Sequence, residues 1–138
     1  MLLLRDISST AIKECLRRFE SSRVCYEVAD LLAPPSKWLA AFDFVFESYT
    51  LQVLPPELRF AATSNLRNFV APSGQLLVIA RGREELEPPG EMPYPLTKGE
   101  LNLFENLGLT TELFEDYFDD EIPPVRRFRV LYSVSESR

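Results

Sequence analysis

The fold of this chain is decided by the stretch Ala41-Phe42-Asp43-Phe44-Val45-Phe46-Glu47-Ser48-Tyr49-Thr50-Leu51-Gln52. It begins with β-branched and aromatic residues and ends in polar ones. A buried parallel strand has this pattern when its carboxyl end opens onto a ligand crevice. The stretch therefore predicts a strand whose polar end, residues 47–52, lies at a binding site.

Strand and helix signals alternate on both sides of this stretch. Apolar residues recur at helical spacing from Ile12 to Phe19, and Pro55-Pro56-Glu57 begins a second helix with proline in its first turn. We expect Ala71-Pro72-Ser73-Gly74 to end that helix before a buried strand. The predicted strands are residues 1–5, 24–29, the opening stretch, 75–80, 111–118 and 125–133, the last two forming an antiparallel hairpin.

The segment between the buried strand and the hairpin has two parts. Residues 81–96 are rich in proline, glycine and glutamate, and an ordered loop of this length is usually functional, so we interpret it as a lid. Thr97-Lys98-Gly99-Glu100 has the form of a capping box, and Gly108 stands where a helix would end. A short helix is predicted between them.

Composition excludes several classes of function. A net charge of −6 and a pI near 4.8 argue against a nucleic-acid partner, and no segment is long enough to span a membrane. The chain has no histidine, which argues against zinc chemistry and a Ser-His-Asp hydrolase, and we assign no metal ligand. Cys15 and Cys25 indicate reduced thiols in the cytoplasm rather than a disulfide framework.

Acidic residues follow three predicted strands. Asp6, Asp30 and Glu47 each stand at a strand's carboxyl end, where α/β sheets bind ligands. Asp6 as a helix cap and Asp30 as a turn residue are the alternative interpretations. The element order predicts one α/β domain over residues 1–138, with a mostly parallel sheet and an antiparallel C-terminal hairpin.

Five short motifs stand in order over almost the whole chain: Asp6-Ile7-Ser8, Val28-Ala29-Asp30-Leu31-Leu32, Phe42-Asp43-Phe44-Val45, Ala71-Pro72-Ser73-Gly74-Gln75-Leu76-Leu77-Val78 and Pro93-Tyr94-Pro95-Leu96-Thr97. The first four resemble motifs of the class I S-adenosylmethionine-dependent methyltransferases, which have a Rossmann-like sheet, and they occur in the family's order. The fifth, rich in proline, resembles the small-molecule branch that includes thiopurine and tellurite-resistance methyltransferases.

The resemblance implies S-adenosylmethionine as cofactor and a small-molecule substrate. On matching positions it places Asp6 at the ribose hydroxyls, Ile7 beside the adenine, and Asp30 with Leu31 near the adenine amine. It implies that Glu47 and Ser48 approach the methionine part of the cofactor. The substrate candidates are Tyr49, Gln52 and Arg81. No catalytic base is assigned, because methyl transfer depends mainly on alignment of the reacting groups.

One departure from the family concerns its first strand and glycine-rich loop. Both should precede Asp6, yet only five residues do, and none of the five glycines fits a GxG spacing. The resemblance therefore implies an N-terminally truncated domain. In the family this strand is central, between the strands ending at Asp6 and Glu47, so we expect unpaired strand edges in its absence. Three arrangements stay open: another chain lends a strand, as in a homodimer through the exposed edges; the two neighbouring strands close up; or the sequence is a shortened product of a longer gene.

Two functions stay open. The first is methyl transfer to a small nucleophile, such as a thiol or a metalloid oxyanion, which the three acids favour. The second is a catalytically inactive methyltransferase-like module for binding or assembly, which the missing glycine loop favours. A flavodoxin-like protein is disfavoured because no phosphate-binding loop follows any strand.

Overall fold

The computed structural model describes residues 2–135, which form two compact units that divide between Ser36 and Lys37. The single domain over residues 1–138 stays a prediction.

The N-terminal unit is a strand-helix-strand element. Strand β1 (Leu3–Asp6) pairs in parallel with β2 (Cys25–Val28), with Asp6 opposite Val28. Helix α1 (Ser9–Arg18) connects them and begins where the Ser8 hydroxyl accepts a hydrogen bond from the Ala11 amide at 3.1 Å. The predicted strand, turn and helix are therefore confirmed, with boundaries shifted by one or two residues.

The C-terminal unit is a four-stranded sheet in the order β3-β4-β6-β5. Strand β4 is parallel to β3, whereas β6 is antiparallel to both β4 and β5, which confirms the C-terminal hairpin. Among residues 2–135, β1 pairs only with β2 and β3 only with β4. The strands are β3 (Phe42–Ser48), β4 (Val70–Arg81), β5 (Thr110–Phe118) and β6 (Arg126–Ser133).

One face of this sheet forms the core. Its buried side chains, among them Leu76, Val78, Val130 and Tyr132, alternate with more exposed ones along β4 and β6. They pack with helices α2 (Pro56–Phe69), α3 (Lys98–Leu101) and α4 (Leu103–Asn106), and short 3₁₀ helices occur at Ser36–Trp38 and Leu51–Val53. The Tyr132 hydroxyl donates to the Leu101 carbonyl at 2.9 Å, which satisfies a polar group inside this core.

Two predicted element boundaries were wrong. Residues 71–74 belong to β4 rather than to a turn after α2, and Ser73, at φ 65°, accompanies an irregularity in the pairing with β3. A Cβ atom on Gly74 would lie 2.8 Å from the Ala71 oxygen, so a larger residue would not fit at this crowded irregularity. The predicted C-terminal helix divides at Asn102 into α3 and α4.

Candidate functional site

Asp6 and Asp30 lie at the same edge of the N-terminal sheet. Asp6 ends β1, and Asp30 follows the adjacent parallel strand β2. Each carboxylate is held by a local turn, because its Oδ1 atom accepts a backbone hydrogen bond, from Ser8 at 2.8 Å and from Leu32 at 2.9 Å. Within residues 2–135 neither Oδ2 atom has a hydrogen-bond donor. Both half-buried acids therefore keep one oxygen for a ligand.

The residues that follow these acids differ in exposure. Ile7 is 65% exposed, so its side chain can contact a ligand. Leu31 is only 3% exposed and belongs to the core of its unit. A ligand near Leu31 would therefore meet its backbone rather than its side chain.

Glu47 differs from the other two acids because its carboxylate is buried. Its Oε1 atom accepts hydrogen bonds from the amides of Thr50 at 2.7 Å and Leu51 at 2.9 Å. Only 4% of Glu47 is exposed, and the following Ser48 is half-buried. The Glu47 carboxylate thus shapes the turn between β3 and the 3₁₀ helix Leu51–Val53.

Tyr49 is held against the C-terminal hairpin. Its backbone has φ 66°, and its hydroxyl accepts a hydrogen bond from Arg127 Nη1. The Arg127 guanidinium also lies 5.4 Å from the centre of the tyrosine ring and is paired with Asp119 at 2.9 Å and Glu121 at 2.8 Å. The ring therefore has a defined position although Tyr49 is 40% exposed.

Gln52 and Arg81 meet at the carboxyl ends of β3 and β4. The Gln52 Oε1 atom accepts from the Arg81 amide at 3.2 Å, and the Gln52 carbonyl accepts from the Tyr94 amide at 2.7 Å. The buried Gln52 Nε2 has no partner, and Arg81 donates to the Pro93 carbonyl at 2.9 Å without a carboxylate in ion-pair range in the described part of the chain. An unused donor and an unpaired cation suit a ligand with an anionic oxygen.

The predicted lid is fixed at both ends. The Arg83 amide donates to the Leu96 carbonyl at 2.9 Å, and the Arg83 side chain donates to the Pro95 carbonyl at 3.1 Å. Glu85 accepts from the Gly99 amide at 2.7 Å. Residues 84–92 are exposed between these anchors, and a lid motion of this segment stays a prediction.

The structure thus brings the predicted residues together within each unit. Asp6, Ile7, Asp30 and Leu31 share one sheet edge, and the strand-end group of the other unit comprises Glu47, Ser48, Tyr49, Gln52 and Arg81. Arg127 was not predicted from sequence. It contacts Tyr49 across 78 positions, and no local pattern signals such a contact.

Comparison with known proteins gives structural matches only. No family model matches the sequence, and no curated protein matches it significantly. A SAM-dependent methyltransferase from Methanosarcina mazei has a TM-score of 0.81 at 14% identity, over 96% of this chain and 81% of that one. The N-methyltransferase NodS from Bradyrhizobium japonicum, in complex with S-adenosyl-L-homocysteine, has a TM-score of 0.77 at 15% identity, over 96% and 66%.

TehB from Haemophilus influenzae is a further match. The TM-score is 0.70 at 13% identity. The match includes 96% of this chain but only 49%, about half, of TehB. Sequence identities this low establish the fold alone. The chain has the fold of the class I S-adenosylmethionine-dependent methyltransferases.

Proposed function

We propose that the protein uses S-adenosylmethionine to methylate a small-molecule nucleophile. The observation that carries this proposal is the pair of acids at one sheet edge, Asp6 and Asp30, each with one oxygen held by a turn and the other without a donor. Carboxylates in this position accept hydrogen bonds from the ribose of a bound nucleotide. The structural relatives NodS and 1,6-didemethyltoxoflavin-N1-methyltransferase were solved with S-adenosylhomocysteine.

The adenosine part of the cofactor is assigned to the N-terminal unit. Asp6 accepts from the ribose hydroxyls, and the exposed Ile7 packs beside the adenine. Asp30 accepts from the adenine amine, and the backbone of Leu31 borders the ring because its side chain is buried.

The methionine part and the methyl acceptor are assigned to the C-terminal unit. Glu47 fixes the turn that presents Ser48 to the methionine part. Tyr49, Gln52 and Arg81 contact the acceptor. The cofactor supplies an electrophilic methyl group, and these side chains contribute by holding the nucleophile in line with it.

A specific observation favours the second candidate function, an inactive binding or assembly module. Phe44 and Phe46 are 54% and 56% exposed on β3, which has a partner on one edge only within residues 2–135. An apolar strand with an open edge readily recruits another strand. In this alternative the module forms a homodimer through that edge.

Cofactor binding separates the two candidates. We expect S-adenosylhomocysteine to bind in isothermal titration calorimetry, and Asp6→Asn to weaken binding roughly tenfold or more because a charged acceptor is lost. Asparagine keeps the Oδ1 atom that accepts from Ser8, so the turn is preserved. Asp43→Asn, which removes the same charge from an exposed position, is the control.

Two results would contradict the cofactor assignment. No binding to the unaltered chain would end the enzyme proposal, whereas equal affinity of the Asp6→Asn variant would show that the ribose site lies elsewhere. Light scattering addresses the dimer separately, because a stable monomer at micromolar concentration excludes it.

The cysteines, the helices and the net charge bear on the location of the protein and on other partners. Cys15 and Cys25 are both unpaired, and we propose a cytoplasmic protein on this basis. No helix within residues 2–135 is long and apolar enough to cross a membrane. The acidic charge gives no support for a nucleic-acid partner.

A further inference from the structure

A cavity of about 430 Å³ lies in the C-terminal unit, among α2, α3, α4 and the loop before α3. Its apolar wall includes Phe60, Leu96, Leu101 and Leu103. Its volume lies within the range of about 300–1,000 Å³ that is typical of small-molecule pockets. None of the residues proposed for cofactor or acceptor binding lines it.

The polar part of the cavity carries a net positive charge. Arg59 and Arg83 both pair with Glu100, at 2.9 and 2.8 Å, so two guanidinium groups share one carboxylate. The arginine side chains are only 14% and 11% exposed. The Glu100 side chain is 31% exposed, and the Glu85 carboxylate lies 2.7 Å from the amide of the lining residue Gly99. Because the two guanidinium groups themselves are largely buried, their charge favours a ligand with one negative charge.

Two donors on α2 are unused. Arg59 donates through Nε to the Leu54 carbonyl and through Nη1 to Glu100, and its guanidinium lies 5.5 Å from the centre of the Tyr94 ring. Its Nη2 atom has no hydrogen-bond acceptor in residues 2–135. Thr63 is 97% buried, lines the cavity, and its hydroxyl makes no hydrogen bond within the same described residues. Positions 59 and 63 are one helical turn apart, so these donors lie on the same face of α2.

We propose that this cavity binds a small amphipathic monocarboxylate. The carboxylate accepts hydrogen bonds from Arg59 Nη2 and the Thr63 hydroxyl, and the hydrocarbon part packs along Phe60 and Leu103. The binding needs neither the cofactor nor the acceptor site, so it is independent of the proposed methyl transfer.

Octanoate is the probe, and 1-octanol is its uncharged counterpart with a chain of the same length. We expect octanoate to bind in calorimetry at a concentration of about 10 mM or below, and octanol to bind at least roughly tenfold more weakly. Absence of octanoate binding, or equal binding of the two probes, would overturn the proposal.

Substitutions on α2 locate the binding site. Thr63→Val keeps the side-chain shape and removes the hydroxyl, so octanoate affinity should fall roughly three- to tenfold. Arg59→Gln should reduce it roughly tenfold or more, since a charged donor is lost. Ser64→Ala removes a hydroxyl from the next position, which does not line this cavity, and should leave the affinity unchanged.

Two results would contradict the assignment of the carboxylate to this cavity. If Thr63→Val, folded as judged by circular dichroism, binds octanoate as the unaltered chain does, the carboxylate is not held at α2 and the assignment fails. Chemical-shift changes that spread over the surface rather than cluster on α2 and residues 96–103 would overturn it as well.

Discussion

The N-terminal and C-terminal units differ in how much of their structure is packed core and how accessible their acidic side chains are. From residue 2 onward the N-terminal unit has two four-residue strands and one α-helix, and the buried apolar side chains there are Ile12, Ala29 and Leu31. The C-terminal unit packs three helices on one face of a four-stranded sheet. A two-stranded sheet gains little stability by itself. The smaller unit therefore offers accessible acids, while the larger one supplies most of the packing.

The acids at the strand ends show the same difference. The Asp6 carboxylate is half-buried and has an unused oxygen, whereas the Glu47 carboxylate is buried and binds two backbone amides. An acid after a strand thus keeps an unused carboxylate oxygen among the described residues of one unit and fixes a turn in the other. Residue type and position in a strand do not by themselves separate these roles.

The largest effect is expected in the core of the C-terminal unit. Phe104 is 1% exposed and its ring lies 4.9 Å from that of Tyr132, so Phe104→Ala should lower the free energy of unfolding by about 3–5 kcal/mol. Urea denaturation measures this loss. Ile12→Ala should have a smaller effect on the same transition, and an equal effect would show that both units unfold together.

The next largest effect concerns the two strand-end acids. Glu47→Ala leaves the Thr50 and Leu51 amides without their acceptor and should cost about 2–3 kcal/mol of unfolding free energy. Asp6→Ala removes one hydrogen bond in an exposed turn and should cost about 1 kcal/mol or less. Thermal denaturation compares the variants, and the reverse order would contradict the structural role of Glu47.

The N-cap residues of two helices allow a matched comparison, with smaller expected effects on stability. Thr97 and Ser8 each accept a hydrogen bond from the amide three residues ahead, at 3.0 and 3.1 Å. Thr97→Ala should cost about 1 kcal/mol of global stability, because Thr97 is buried in the larger unit. Ser8→Ala should instead speed amide exchange in α1 alone. Faster exchange throughout the chain would argue against separate units.

The smallest effect is expected at the tip of the C-terminal hairpin. The backbone amide of Val125, with further hydrogen bonds from Glu121 and Arg127, lowers the pKa of Asp119 to about 2. An unfolded aspartate has a pKa of about 3.9, so this stabilisation is complete above that pH and is lost as pH falls toward 2. Asp119→Asn should make the free energy of unfolding less dependent on pH over this interval. A pH profile equal to that of the unaltered chain would contradict the proposed role of the Asp119 carboxylate.

Local features were predictable where the residues involved are close in sequence. The Thr97 hydroxyl caps its helix as predicted, but the Glu100 carboxylate pairs with Arg59 and Arg83 and does not complete the capping box. Gly108 has φ 95°, and the strand within residues 41–52 occupies Phe42–Ser48. Each depends on hydrogen bonds or side-chain periodicity within a few residues. The short motifs were sufficient for the fold because they occur in the order in which the strands are connected.

Features that depend on distant contacts were missed. Pro72 and Ser73 are turn-forming residues, yet they lie inside β4. The strand pairs with β3 at Val70 and again from Gln75, and the residues between form the irregularity in that pairing. The anchoring of Arg83 to Pro95 and the pairing of Arg127 with Tyr49 likewise join separate parts of the chain. Composition alone carries no signal for either contact.

The position of β4 between a parallel and an antiparallel neighbour has a consequence for the order of folding. The β5–β6 hairpin closes through a short turn at residues 119–125, whereas β3 can reach β4 only after α2 has connected them. Because contacts between distant residues form more slowly, we expect the hairpin to appear early in refolding and the edge strand β3 to join last. The nascent protein would then leave the backbone edge of β4 that pairs with β3 open longest, at the stage when a folding chain is most prone to aggregate.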